Sequence, residues 1–599
     1  MAWGPGTLRW EQHTEFVSWT FARALPADTS LERGAAAGVA TAIEALPREW
    51  IAALPGQRLV GLHLWALPDV GAGESSLPAV DSTLREQLAP WLQEDTLVGA
   101  CVADGRCRAF TDFVIHPDGF SRSLLLVGAT TPRGLGRLVQ RVLEVETYRM
   151  AALMGLPAAH RAMTEGPWAA MNATARGKLL RRLADLVAER ADRLAEVETT
   201  DTGKLIRETR PQIRYVADYF LYFAGAADKL EGATLPIDKV DMFTMTVREP
   251  IGVVAAIVPW NSQLMLTAVK LAPALAAGNA VVLKASEHGP APLLELAALC
   301  AEAGFPAGSV NVITGLGDPC GTRLTSHPLV ARIAFTGGPN TARHVIRNSA
   351  ENFAAVTLEL GGKSPILVFD DADIDSAVNG IVAGNFGASG QSCVAGTRVI
   401  IQAGIFDQVL ARVAERAARI RIGDPLDPET EMGPLATPAQ RDHVERVLAQ
   451  SLAAGAKLVG GGNRPAGLAK GWYFEPTILD CPQQDIPSVR TELFGPLLSA
   501  MRFETEEEAV ALANGSEFGL AAGIFTRDGG RSLRLMRHIR AGIVWINTYR
   551  AVSPMAPFGG YRQSGSGREA GQESLLDYSR TKTVWINTGG PMGDPFMMR

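Results

Sequence analysis

Cys393 stands in GNFGASGQSCVAGTR, where Gly387, Ala388, Ser389, Gly390 and Ser392 leave room for a small molecule to reach its sulfur. Most free cysteines are inert core residues, so the thiol gains meaning only from its companions. Glu359 lies 34 positions earlier (393 − 359) in VTLELGGKSP, at a strand end with two glycines behind it. A carboxylate placed there can approach a reaction centre without steric cover, although a lone glutamate at such a junction is commonly a surface residue. Asn261, in IVPWNSQ, ends an apolar run that begins at Ile251. Its amide can donate to a developing oxyanion or simply serve a turn. A thiol, a carboxylate and an amide donor are candidate parts for covalent chemistry at a carbonyl carbon, and the residues alone leave that choice open.

A second set has the chemistry of a nucleotide site. Lys284 and Glu287, in LKASEHGP, close one strand and open a turn, and a cation with an acid suits a ribose bearing vicinal hydroxyls. Gly337 and Gly338, in IAFTGGPN, follow another strand and precede a helix, where backbone N–H groups can meet a diphosphate. The stretch TGLGDPCG, with Gly315, Gly317 and Gly321, lacks GxGxxG spacing, and ordinary turn glycines explain it as well.

These residues must be carried by elements that the hydrophobic pattern makes visible. IGVVAAIV, AVVLKA, VNVITG, ARIAFTG and SPILVFD are apolar runs without alternation, separated by helical stretches or Gly/Pro turns. Such runs read as a parallel sheet buried on both faces, in an α/β doubly wound architecture. Asn172 is placed to cap a helix whose apolar positions Leu179, Leu183, Leu186, Val187, Leu194 and Val197 recur at 3.6. Residues 1 to about 160 differ in texture, mixing short apolar runs (LVGLHLWAL, SLLLVGAT) with helical stretches, as an α+β piece would. A helical pattern from Gly134 to Gly155 is expected to stop at Gly155-Leu156-Pro157.

The bulk numbers bound the rest. A chain of 599 residues with 47% hydrophobic and 20% charged residues has two to four globular domains. A net charge of −6 argues against a nucleic-acid or anionic-membrane partner. Six cysteines without CxxC or His clusters give neither a disulfide framework nor a zinc site, so no metal is expected. The beginning, MAWGPGTLRWEQHTEF, does not read as a signal peptide, and no apolar run approaches the ~20 residues of a membrane span. A reduced, cytoplasmic location is the expectation.

From about residue 165 to 590 the chain resembles the aldehyde dehydrogenase superfamily. The motifs are PWN, LKASE, FTGG, LELGGKSP, GQSCVAGTR, EMGPL, TELFGP, FGLAAGIFT and PFGGYRQSGSGRE, in the family's order. The resemblance implies a doubly wound cofactor domain over residues 161–360, with an oligomerisation hairpin at about 233–249. It implies a catalytic domain over 361–577 and an oligomerisation strand and tail over 578–599, with residues 1–160 as an additional N-terminal region. That region, through HTEFVSWTFAR and RGLGRLVQRVLEVETYRMAALMGLP, weakly resembles an uncharacterised family of bacterial membrane-associated proteins, which assigns no activity.

By the same resemblance Cys393 is the nucleophile, Glu359 the base, and Asn261 with the Cys393 N–H the oxyanion hole, with Lys284 beside them. Val258, Pro259, Trp260, Lys284, Glu287, Gly317, Gly337, Gly338, Leu360, Glu492 and Phe494 match cofactor positions. NAD is the expected cofactor, because Glu287 would repel a 2′-phosphate, and NADP is the alternative. The substrate is a small-molecule aldehyde and the assembly a homodimer or homotetramer. Glu359 favours hydrolysis over the alternative of CoA-acylating semialdehyde chemistry, and an intact Cys393/Glu359/Asn261/Lys284 set speaks against a retired, purely structural member. Three departures from the family stand out. The early strands of the cofactor domain are replaced by the N-terminal region. Ser262 and Gln263 follow Asn261 where many members have an aromatic and a proline. Val269 occupies a site often held by an aromatic, which widens the substrate tunnel, and Arg550, in NTYRAVSP, lies at the tunnel mouth where it can pair with a substrate carboxylate or remain a solvated loop residue.

Overall fold

The computed structural model describes residues 7–13, 16–22, 97–103, 108–116, 119–122 and 155–596. The chain divides into two compact units, Met1–Thr147 and Tyr148–Arg599. In the first, Thr7–His13 pairs antiparallel with Phe16–Ala22, and Leu97–Ala103, Arg108–His116 and Gly119–Arg122 form a three-stranded antiparallel sheet. LVGLHLWAL, SLLLVGAT and the start of the helix expected from Gly134 lie outside the described residues.

The second unit corrects one boundary at once. The chain is helical over 155–164, so Gly155-Leu156-Pro157 does not end a helix. Leu156 and Ala159 are fully buried, and a Cβ on Gly155 would touch Val282, Ile313 and Asn311, so this turn covers one face of the first sheet. Burial of Leu156 overrides the stop signal that its neighbours spell.

Three helices follow: α1 (Ala173–Glu189), α2 (Ala191–Thr202) and α3 (Ile206–Ala226). Asn172 Oδ1 accepts from the Ala175 N–H at 2.9 Å, the expected cap of α1, an interaction that stabilises by about 1 kcal/mol. The single helix expected through Val197 is broken at Arg190, whose backbone (φ −103, ψ 13) is not helical. Leu183, Leu186, Val187 and Leu194 are nonetheless all buried, as their spacing requires.

The strand and helix alternation then runs β1 (Met242–Pro250), β2 (Val253–Ile257), α4 (Gln263–Ala276), β3 (Ala280–Lys284), α5 (Ala291–Glu302), β4 (Val310–Ile313), β5 (Val330–Thr336), α6 (Pro339–Ser349) and β6 (Ala355–Glu359). The chain then adds β7 (Pro365–Val368), α7 (Ile374–Phe386), β8 (Arg398–Gln402), β9 (Lys457–Gly460), β10 (Thr477–Asp480), β11 (Leu497–Phe503), β12 (Ala521–Phe525) and β13 (Ile543–Ile546). Two late strands, β14 (Gly565–Ser566) and β15 (Ser579–Asn587), return to earlier parts of the fold.

The first sheet has the order β14-β6-β5-β2-β3-β4, parallel except for the short edge β14. Every residue of β3 is buried, which is why the AVVLK run does not alternate. From β2 the order runs one way through β3 and β4 and the other way through β5 and β6. The crevice beyond the carboxyl ends of β2 and β5 is therefore a topological switch point, where ligands bind in such sheets. SPILVFD does not join this sheet. As β7 it sits inside a second sheet ordered β9-β10-β11-β8-β7-β12-β13. A separate antiparallel ribbon pairs β1 with β15, Met242 opposite Asn587 and Pro250 opposite Ser579. In the region expected as a hairpin at 233–249, the first arm is reduced to one bridge, Thr234 to Met245.

Candidate active site

Strand ends and helix starts deliver the side chains. β2 ends at Ile257 and releases Pro259, Trp260 and Asn261 before α4 begins. β5 ends at Thr336 and releases Gly337 and Gly338 into the start of α6. β6 ends on Glu359 itself, hydrogen-bonded in parallel register beside Thr336. Cys393 arrives differently. After α7 the backbone turns left-handed at Ala388, Ser389 and Gly390 (φ 52, 55 and 74). Gly390 is required there, since a Cβ would stand 2.2 Å from the Gly495 carbonyl oxygen. Asn261 Nδ2 donates to the Gln391 carbonyl at 3.0 Å, which fixes the amide beside the cysteine loop.

These segments enclose a cavity of about 490 Å³. Of the residues singled out in the sequence, Pro259, Trp260, Asn261, Val269, Gly337, Gly338, Glu359, Leu360, Cys393, Glu492, Phe494 and Arg550 line it. Trp260 and Phe494 meet edge to face with ring centres 5.5 Å apart. Val258, Lys284, Glu287 and Gly317 do not line this cavity. Val258 is buried and donates its N–H to the Lys284 carbonyl at 3.3 Å. Lys284, at the end of β3, lies 3.7 Å from Glu287, and Gly317 opens the turn after β4. They follow the carboxyl ends of successive strands of the same sheet.

Burial sets the protonation of the central groups. It pushes the Cys393 thiol up to about 12, and the neighbouring Glu359 and Glu492 carboxylates add to the effect. Burial likewise raises Glu359 well above the ordinary carboxylate range, with Glu569 reinforcing the shift and Lys270 and Arg568 opposing it. Neither oxygen of Glu359 has a hydrogen-bond partner among the described residues. Glu492 is pushed up to about 7 by burial, against the pull of the Gly362 N–H that it accepts at 3.1 Å and the charge of Lys363. Desolvation in the protein alone therefore favours the neutral thiol at Cys393 and raises the proton affinity of both acids.

Three features escaped the sequence reading. Lys270 and Glu569 form a wholly buried ion pair, and Lys270 also donates to Thr336 Oγ1 at 2.6 Å. A lysine on the otherwise apolar stretch LMLTAVKLAPALA was the available signal for it. Gln391 supplies its carbonyl to Asn261 and its side-chain oxygen to the Ala436 N–H at 2.9 Å, pinning the loop before Cys393. Lys204 and Gln212 also face the cavity, and no spacing pattern in α2 or α3 announced them. Among the described residues there is no cluster of His, Cys, Asp and Glu that could hold a metal ion, and no helix long and apolar enough to cross a membrane.

Comparison with known proteins adds independent information. The family described as "Aldehyde dehydrogenase family" matches residues 149–584, and a "Protein of unknown function (DUF3422)" family matches residues 1–198. The chain is 58% identical over 444 residues to a (Z)-2-((N-methylformamido)methylene)-5-hydroxybutyrolactone dehydrogenase of Acinetobacter baylyi, covering 74% of this chain and 91% of the relative. It is 44% identical over 428 residues to a betaine aldehyde dehydrogenase of Brucella anthropi, covering 71% and 87% respectively. Among solved structures, betaine aldehyde dehydrogenase from Staphylococcus aureus in complex with NAD+ superposes with a TM-score of 0.73 at 38% identity, over 75% of this chain and 89% of that one.

Proposed function

The chain belongs to the aldehyde dehydrogenase family, and from that premise we propose that it oxidises an aldehyde to a carboxylic acid with NAD+, through a thioester on Cys393 that water resolves. The observation that carries this reading is one cavity lined by Cys393, Asn261 and Glu359 at a topological switch point. The named acceptor of the structural relative is NAD+, and the residues here fit that group. A Cβ on Gly338 would meet open space at the start of α6, whose free N–H groups suit a diphosphate. A Cβ on Gly361 would strike the Glu492 carboxylate, so backbone and acid approach closely enough to cradle a ribose. Lys284 and Glu287 offer a cation and an acid to the second ribose, and Glu287 disfavours a 2′-phosphate, which makes NADP the weaker partner.

Cys393 Sγ gives its proton to solvent water and the thiolate attacks the aldehyde carbon, and the oxyanion of the resulting thiohemiacetal accepts from Asn261 Nδ2 and the Cys393 N–H. Removing one such donor typically costs about 10²–10³ in rate. Bound NAD+ supplies the acceptor for the hydride that leaves the former aldehyde carbon. Glu359 then takes a proton from water, whose oxygen displaces the cysteine sulfur from the thioester, a general-base contribution of roughly 10²–10⁴. The sum is aldehyde, NAD+ and water giving carboxylate, NADH and two protons. The Lys270–Glu569 pair acts on Glu359 in both directions, the glutamate reinforcing its protonation and the lysine opposing it.

A 5-hydroxybutyrolactone, the compound class in the name of the 58% identical relative, is the ring-closed form of a 4-oxo acid. Ring opening would present Cys393 with an aldehyde. Glu359 at the cavity favours hydrolysis over transfer to CoA. Residues 1–160 are proposed as an appended region, 161–360 as the cofactor domain, 361–577 as the catalytic domain, and 578–599 with the β1 ribbon as the means of forming a homodimer or homotetramer. Phe243, Trp585 and Ile586 are exposed on that ribbon and suit a second copy. A cytoplasmic location agrees with the reduced cysteines expected from the sequence.

The test is NADH production by the purified protein across an aldehyde panel, with single-turnover absorbance. Cys393→Ala is expected to abolish NADH formation. Glu359→Gln is expected to keep a first turnover and lose steady-state turnover by about 10² or more. Wild-type turnover in Cys393→Ala would end the mechanism.

A further inference from the structure

Two cations face the cavity that the chemistry at Cys393 does not use. Lys204 follows Gly203, which ends α2 in left-handed backbone (φ 80). Its Nζ donates to Gln212 and, at 2.8 Å, to Ser262 Oγ, so the ammonium stands against the residue next to Asn261. Arg550 enters the same cavity from the loop after β13. Its backbone is also left-handed (φ 64), a region that residues other than glycine rarely occupy. Such strain persists only where surrounding structure imposes it, and it concentrates at ligand sites. Here Tyr549 imposes it: its hydroxyl donates to the Val394 carbonyl at 2.9 Å, tying this loop to the residue after Cys393.

Neither Lys204 nor Arg550 has an ion-pair partner within 4.0 Å among the described residues, whereas Lys270 does. Two carboxylates act on Lys204 from α2 and α3, Glu198 and Glu208. Glu198 is fully buried, accepts from the Leu264 N–H at 3.1 Å, and is pushed by burial towards its neutral form. Glu208 accepts from the Ala388 N–H at 3.0 Å and offsets one positive charge. Lys204 and Arg550 thus share one wall, close enough for their charges to act on each other, beside an otherwise apolar stretch of Met265, Leu266 and Val269. Lys204 is bound by the neutral Gln212 and Ser262 side chains, and the half-buried Arg550 donates one N–H to the Ala383 carbonyl at 3.1 Å, so both cations keep charge and donors to offer an anionic group of the ligand.

We propose that the aldehyde oxidised by this chain carries a carboxylate, and that Lys204 and Arg550, with the Gln212 and Ser262 side chains, hold that carboxylate while the aldehyde carbon lies at Cys393. The proposal rests on the reading of Cys393 as nucleophile and names the substrate class of the same cavity.

The experiment compares 4-, 5- and 6-oxo straight-chain acids with their methyl esters, which differ only in the charge at the far end. In the native enzyme the best acid is expected to exceed its ester at least tenfold in kcat/KM, chiefly through KM. Arg550→Gln and Lys204→Gln are each expected to lower that acid-to-ester ratio about tenfold, and Arg550→Lys to restore part of it. Calorimetric binding of glutarate to the NAD-loaded enzyme needs no turnover, and it is expected to weaken by a similar factor in both variants. NAD binding by each variant confirms its fold. An acid-to-ester ratio at or below one in the native enzyme, or no glutarate binding, overturns the proposal. Glutarate binding that depends on both cations without turnover of any aldehyde supports this site and instead removes the reading of Cys393.

Discussion

Gly361→Ala is a one-methyl test of how closely the chain must approach its cofactor. The backbone at Gly361 is not left-handed, so alanine adds no conformational strain, and the effect comes from space alone. The new Cβ would stand 1.8 Å from Glu492 Oε2 and 2.3 Å from its carboxyl carbon. Ordinary carbon contacts lie at about 3.5 Å, so the carboxylate must retreat by roughly 1.5 Å. That retreat breaks the 3.1 Å hydrogen bond from the Gly362 N–H, and an unpaired buried N–H costs about 1–3 kcal/mol. Misplacing a positioning group by about 1 Å can cost 10² in rate. The expected outcome is a kcat/KM for NAD+ reduced about 10²-fold, with a Tm lowered by only a few degrees. Glu492→Gln, which keeps the volume and one acceptor, should lose less. Stopped-flow NADH formation and NAD+ titration of both variants decide it. A Gly361→Ala enzyme within threefold of native for NAD+ would show that Glu492 does not touch the cofactor.

Two further outcomes follow from charge. Glu287→Gln should improve NADP+ turnover about tenfold while changing NAD+ little, since the half-exposed Glu287 carboxylate would no longer face a 2′-phosphate; a native preference for NADP+ in kcat/KM would refute its assignment. Because burial raises the Cys393 thiol to about 12, iodoacetamide labelling of Cys393 without cofactor should keep rising with pH through 10, measured against Cys393→Ala as blank, and a plateau below pH 8 would contradict the buried neutral thiol.

Much of the site was legible because each part ends an element whose period is plain. Glu359, Asn261 and Gly337 all follow apolar strands, and the parallel register of β5 and β6 places Thr336 beside Glu359 as the doubly wound reading implies. The break between α1 and α2 was not legible, because Leu194 and Val197 keep the helical period across Arg190 and only backbone angles reveal the kink. The end expected at Gly155-Leu156-Pro157 failed for a related reason. Gly and Pro mark local preference, while Gly155 lies against Val282 of β3 and Asn311 and Ile313 of β4, more than 120 positions away, and Leu156 beside it is fully buried.

The same distance in sequence hides what sets the charge of Glu359. Its two oxygens have no hydrogen-bond partner among the described residues, and burial raises its proton affinity. What modulates it is Lys270 on α4 and Glu569 beside β14, 299 residues apart and joined through a buried hydrogen bond. A buried pair of this kind rarely adds stability over an apolar pair of the same shape, whereas removing one partner leaves a charge that costs about 3–5 kcal/mol. Its place here is better explained by electrostatics than by folding. Lys270 bonds Thr336 at the end of β5 and opposes the raised pKa of Glu359 at the end of β6, so the pair lies where two adjacent strands open into the cavity. Lys270 therefore sets a positive charge beside the base and Glu569 a negative one of larger effect, so both side chains enter the proton affinity of the residue that must act on water near a thioester.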